Sequence, residues 1–237
     1  MPVAVPIVAG TAIRGVAATM MMRGVLTRHP NAFLITLASF GVTLPLHRSQ
    51  EHIRSDIRKG LRAQGRAEEA PVVLVGHSQG GLAVLRYAID NPDQVLHVIG
   101  VGVPWLGSRS AGRLTKALSW TGRDLTPGIS DMAEDSPYLA KLRQDLPQIA
   151  DKVTNIYSTH EMFIRPYTAA HIAVPGVTNI LIAPEDEYLR HLQSYPQFPV
   201  DDLISRKTSH LGEMGAPEVR SRIWQIVDEV TAQFQAG

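Results

Sequence analysis

Val72-Val73-Leu74-Val75-Gly76-His77-Ser78-Gln79-Gly80-Gly81-Leu82-Ala83-Val84-Leu85-Arg86-Tyr87-Ala88 carries most of the structural information in this chain. Four apolar residues, three of them β-branched, read as a short buried strand. Leu82 to Ala88 read as a helix packed by its apolar side. Between them, Gly76 and Gly80 stand two residues either side of Ser78. A strand that becomes a helix in so few residues must turn sharply, and side chains at the flanking positions would collide with neighbouring backbone. The serine hydroxyl then projects from the apex of the turn. The helix behind it directs unpaired N–H groups and a positive dipole end toward that oxygen. Such an arrangement favours negative charge developing on an atom bonded to the serine.

This is the G-x-S-x-G pattern of a nucleophile elbow, in the strand-turn-helix setting that gives the pattern its meaning. Taken bare, it arises by chance in roughly one chain in twelve of this length. The apolar run before it and the helix after it therefore carry the weight.

Working outward, short β-branched runs at 3–8, 32–37, 72–75, 95–101, 152–157 and 177–182 alternate with longer amphipathic stretches. Ile53, Ile57 and Leu61 form one helix face. Val219, Ile223, Ile226, Val227, Val230 and Phe234 form another, with Pro217 at its first turn. The alternation predicts a mostly parallel sheet of about six strands with helices on both faces. Pro6 within the first run is awkward, because it has no N–H for a ladder. With no repeat or linker, residues 1–237 read as one domain. Two stretches, 105–151 and 183–207, interrupt the alternation and are candidate lids or walls of a substrate site, since loops leaving the strands' C-terminal ends line the crevice of such a sheet.

The segment Val75-Gly76-His77-Ser78-Gln79-Gly80-Gly81 resembles the nucleophile segment of bacterial lipases and esterases of the α/β-hydrolase superfamily. Gly102-Val103-Pro104-Trp105-Leu106-Gly107-Ser108 is similar to their Gly-Thr-Pro-His-x-Gly-Ser. Leu125-Thr126-Pro127-Gly128, followed by Ser136-Pro137-Tyr138-Leu139, is similar to their Leu-x-Pro-Gly-Ser-x-Phe-Leu. The resemblance spans most of positions 70–215 and implies the α/β-hydrolase fold, with Ser78 attacking carboxylic esters.

A serine hydroxyl needs an imidazole to take its proton, and the chain order of this fold is serine, acid, histidine. His171, His191 and His210 come late enough. His210, in Thr208-Ser209-His210-Leu211-Gly212, resembles the lipase segment Gly-His-x-Gly and is the expected base, with His191 the alternative. Glu161 is the first carboxylate beyond the run ending at Tyr157 and stands where related small lipases carry Asp. It is the expected acid, with Asp186 or Glu185 as alternatives; His160 beside it reads as a surface neighbour. The backbone N–H groups of Gln79 and Thr11 are the expected oxyanion donors. Thr11 follows Gly10, where the family commonly has His-Gly; here Ala9 replaces the histidine. Trp105, Leu106, Met162, Phe163 and Leu211 flank these segments and are the expected apolar acyl pocket.

Composition narrows the rest. Lys plus Arg number 23 against 22 for Asp plus Glu, which leaves no basic field for nucleic acid. No cysteine is present, so thiol chemistry and disulfides are excluded. His47 and His52 lie five apart, which suits no zinc spacing. The expectation is a cofactor-free and metal-free enzyme acting on a small-molecule ester or lipid. The same residues would equally serve an acyltransferase or thioesterase, and less readily a non-catalytic binding module. The first ten residues carry no positive charge ahead of their apolar run, and no apolar stretch approaches the roughly 18 residues of a membrane span. A cytoplasmic protein is expected, with a processed secreted form as the alternative.

Overall fold

The computed structural model describes residues 2–8, 32–36, 44–108 and 127–236. Seven strands form one sheet: β1 Val3–Val8, β2 Ala32–Thr36, β3 Val72–His77, β4 Val95–Val101, β5 Val153–Ser158, β6 Thr178–Ala183 and β7 Asp202–Ser205. Their spatial order is β2-β1-β3-β4-β5-β6-β7, and every pair is parallel. The principal helices are α1 Leu46–Ala63, α2 Gln79–Asp90, α3 Pro137–Asp145, α4 Glu185–Ser194 and α5 Pro217–Ala236.

A parallel sheet is covered on both faces, so its strands are apolar on both. Alternate residues divide accordingly. Ala4, Val8, Val72, Leu74 and Val98 pack against Ile53, Ile57 and Leu61 of α1, Leu82 and Leu85 of α2 and Leu142 of α3. Val5, Ile7, Val73, Val75, Ile99 and Val101 pack against Val219, Ile223 and Val227 of α5. β1 pairs with β3 at Ala4, Ile7 and Val8 and passes over Val5 and Pro6, which accommodates the missing proline N–H.

Six strands were legible as apolar runs; β7 was not. Asp202-Leu203-Ile204-Ser205 is a four-residue edge strand with a buried Ile204, and edge strands need little apolar sequence. Together with α4 it occupies most of the 183–207 stretch, which is therefore the last helix-and-strand crossover of the sheet. From residue 127 onward, the other stretch holds a short helical turn, Pro127–Ser130, then α3, and ends within the 3₁₀ segment Leu146–Lys152.

Strand order reverses between β1 and β3: from β1 the chain builds outward to β2, then returns to β3 and proceeds the other way. The crevice of a parallel sheet opens at such a point, at the strands' C-terminal ends. Ser78 follows β3 there. Val8, where β1 ends, is in register with Gly76.

Candidate active site

The turn between β3 and α2 carries the strain its sequence implies. Ser78 has φ 55° and ψ −127° and is the sole non-glycine residue with positive φ among the described residues. Holding an L-residue there costs on the order of 1–3 kcal/mol, met by the packing on either side. The Ser78 N–H donates to Val101 O at 2.9 Å, and Ser78 O accepts from Gly81 N–H at 2.9 Å. Gln79 begins α2, so its N–H is one of the donors a helix start leaves without an intrahelical acceptor. Its side chain donates to Gly128 O at 2.8 Å and ties the elbow to the 127–130 turn.

The glycine before the serine is sterically required. A Cβ on Gly76 would lie 2.5 Å from Val84 Cγ2, 2.6 Å from Gly81 Cα and 2.7 Å from Gly80 O, and two of those atoms are backbone. Gly76→Ala is expected to lower stability by ~2 kcal/mol or more, read as a lower urea midpoint with an unchanged m-value. A midpoint equal to that of the wild type would contradict the tight turn.

His210 lies in the loop between β7 and α5, where Gly212 and Glu213 N–H groups both donate to Ser209 O, at 2.8 and 3.1 Å. Two bonds hold this loop to the sheet. Ser158 Oγ–H donates to Thr208 O at 2.7 Å, and His77 Nε2–H donates to His210 O at 3.0 Å. Because a carbonyl only accepts, the second bond fixes the tautomer of His77. Burial and the neighbouring His210 lower the His77 pKa to about 3, so its ring stays neutral. The two rings are 4.7 Å apart, which brings His210 to the chain neighbour of Ser78.

On the other side of the ring, His210 Nδ1 is 2.8 Å from Glu161 Oε2, and both residues are buried. The alternatives stand elsewhere. Glu185 and Asp186 are exposed on α4, and Asp186 pairs with Arg190 at 2.5 Å. His191 donates from Nε2 to Phe198 O and accepts at Nδ1 from the Tyr167 hydroxyl, both at 2.9 Å, so neither nitrogen is available as a base. His171 faces the Tyr157 hydroxyl at 3.1 Å, and burial lowers its pKa to about 4. His160 pairs with Glu187 at 3.4 Å.

The expected pocket residues separate. Trp105 is buried and belongs to the core cluster beneath α2 and α3, together with Val103, Leu139 and Leu142. Leu106, Met162, Phe163 and Leu211 are exposed, and the Phe163 ring meets His210 edge-on at 5.4 Å. Met162 and Leu211 are the chain neighbours of Glu161 and His210, and Leu106 follows the buried Trp105. Thr11 lies outside the described residues.

Sequence reasoning missed two residues. His77 was an unassigned position of the elbow. Glu213 is fully buried, with Oε2 3.8 Å from His77 Nε2 and 3.9 Å from His210 Nδ1. The available signal was its place three residues after the expected base, which in a sequence reads equally as an exposed acid near a helix start. Gly102, at φ 56°, makes room for it: a Cβ there would lie 2.5 Å from Glu213 Oε2 and 2.9 Å from His210 Nδ1. His77, His210 and Glu213 are also a cluster with metal-capable atoms within 4.8 Å of one another. The His77 nitrogen facing Glu213 is Nε2, however, and its proton is committed to His210 O, so it has no lone pair for a cation.

No curated protein matches the chain in sequence. Among solved structures, the fold is similar to a lipase from Bacillus licheniformis, at 12% identity and a TM-score of 0.58, covering 95% of this chain and 92% of the other. It is similar to a putative non-heme bromoperoxidase from Mycobacterium tuberculosis, at 15% identity and a TM-score of 0.59, covering 97% and 93%. Aspergillus fumigatus lipase B aligns at 18% identity and a TM-score of 0.55 over 76% of this chain, which spans 44% of that lipase. At such identities the likeness is one of fold. The model of the alpha/beta hydrolase family matches residues 18–219, and with the parallel sheet and its serine elbow this makes the chain a member of that family.

Proposed function

We propose that the chain is a serine carboxylic-ester hydrolase of the lipase and esterase kind, with Ser78 as nucleophile, His210 as base and Glu161 as the acid that orients it. The supporting observation is the buried His210 imidazole, with Glu161 at 2.8 Å from Nδ1 and His77, the neighbour of Ser78, against its ring. Ser78 Oγ attacks the ester carbonyl as its proton passes to His210 Nε2. The oxyanion forms at the start of α2, facing Gln79 N–H, with Thr11 N–H as the second expected donor. Collapse breaks the bond to the alcohol, which leaves with the proton from Nε2. Water then gives a proton to Nε2 and attacks the acyl-enzyme, and the acid departs as Oγ regains its proton. Glu161 holds Nδ1 protonated and stabilises the imidazolium throughout.

Labelling with a fluorophosphonate tests this directly. A single adduct on Ser78 is expected, and a folded protein that takes no label, or takes it elsewhere, refutes the assignment. A competing alcohol or thiol in the assay separates hydrolysis from acyl transfer, since a transferase forms the new ester in preference to free acid.

The exposed apolar side chains of Met162, Phe163 and Leu211 beside Glu161 and His210 would form a rim that favours esters of apolar acids. Phe163→Ala is expected to cut kcat/KM for p-nitrophenyl octanoate about tenfold, the worth of one lost aromatic contact. The acetate ester, too short to reach the rim, should change less than about threefold. Equal losses on both would remove the rim from substrate binding.

A further inference from the structure

Glu213 takes no step in the proposed reaction, yet it is the carboxyl most deeply enclosed around the expected base. The groups that face it are Glu161 from the loop after β5, His77 from the end of β3 and His210 from its own loop. Among the described residues no lysine or arginine pairs with it. With both carboxyls ionised, none of the four oxygens of Glu161 and Glu213 has a hydrogen-bond donor in good geometry. Two such groups buried in contact cannot both hold a negative charge, and one retains a proton. That proton is also the donor the pair lacks.

Position decides which carboxyl keeps it. Glu161 Oε2 is 2.8 Å from His210 Nδ1, whereas Glu213 Oε2 is 3.9 Å away. The charge therefore resides on Glu161, whose oxygen is the one within ion-pair distance of the imidazole, and the proton on Glu213. Burial and the adjacent Glu161 charge push the Glu213 pKa well above the usual carboxylate range, in the same direction.

We infer that Glu213 is a positioning residue: its protonated carboxyl donates to Glu161, orients that carboxylate on His210 Nδ1 and keeps a single negative charge behind the imidazole. The inference rests on His210 being the base and Glu161 its acid. The single charge matters for the chemistry. Two carboxylates behind His210 would hold the imidazolium to higher pH and leave fewer molecules able to accept the Ser78 proton.

The test uses the full chain with Glu213→Gln and Glu213→Leu, with p-nitrophenyl butyrate as substrate. Glutamine keeps a neutral donor of the same shape, so kcat should fall by no more than ~5-fold, whereas leucine leaves Glu161 without its donor and should cost ~10–100-fold in kcat at unchanged KM. The acidic limb of kcat/KM against pH should stay in place in Glu213→Gln, because a neutral group replaces a neutral group. Were Glu213 ionised, losing its negative charge would move that limb down by about one pH unit or more. A shift of that size overturns the proposal, as does a Gln variant no better than Leu.

Infrared spectroscopy reads the proton without turnover. A buried protonated-carboxyl band is expected in the wild type and in Ser78→Ala, and is expected to be lost in Glu213→Gln. Its absence from the wild type, or its persistence in Glu213→Gln, overturns the proposal even where Glu213→Leu fails to fold. Loss of the triad reading shows differently, as esterase activity surviving in Ser78→Ala, and leaves the infrared result intact.

Discussion

Ser78→Ala should abolish covalent labelling and lower kcat/KM on p-nitrophenyl esters by on the order of 10⁵-fold. The residual rate would come from ester binding and the oxyanion donors alone. The size of the effect follows from geometry: no other hydroxyl is carried on the β3–α2 turn, where Gly76, Gly80 and Gly81 neighbour the serine and His210 lies against His77. Stability makes this result specific. Alanine keeps the positive-φ strain at position 78, so Ser78→Ala should melt close to the wild type. Ser78→Gly relieves that strain and should gain about 1 kcal/mol while remaining as inactive. A glycine variant less stable than the alanine variant would contradict a strained backbone at position 78.

The second large effect is expected at Glu161. Glu161→Gln preserves the shape but places an uncharged amide at 2.8 Å from His210 Nδ1. The amide can turn its NH₂ toward that nitrogen and so select the wrong tautomer, and it cannot stabilise an imidazolium. A loss of ~10³–10⁴-fold in kcat is expected, with little change in KM. The same replacement at Asp186, an exposed residue already paired with Arg190, should change kcat less than about twofold. Stopped activity in Asp186→Asn with activity retained in Glu161→Gln would transfer the acid role to α4. Glu161→Asp, one methylene shorter, would leave the carboxylate short of Nδ1.

These expectations differ in how far they could be seen in advance. The elbow was legible because strand, turn and helix are contiguous: apolar residues 72–75, two flanking glycines and a helix-forming run specify a local shape. β1 and β4 begin and end where their apolar runs do. β7 was hidden because four residues at a sheet edge, half of them polar, carry almost no periodicity. Trp105 illustrates another limit. Its segment leaves β4 toward the crevice, but one residue of it turns into the core under α2 and the next, Leu106, faces out. A chain trace through an irregular turn determines that, and pattern does not.

By itself, the sequence determined the parallel sheet and the strained serine turn, because these depend on neighbours along the chain. Only the tertiary structure decided which carboxylate meets His210, that His77 braces its loop, and that Glu213 is enclosed. Those outcomes depend on the ends of β3, β4 and β5 and the loop before α5 converging on one small volume. There the exclusion of water makes two like charges compete for a single site, a cost that no one segment of the chain encodes.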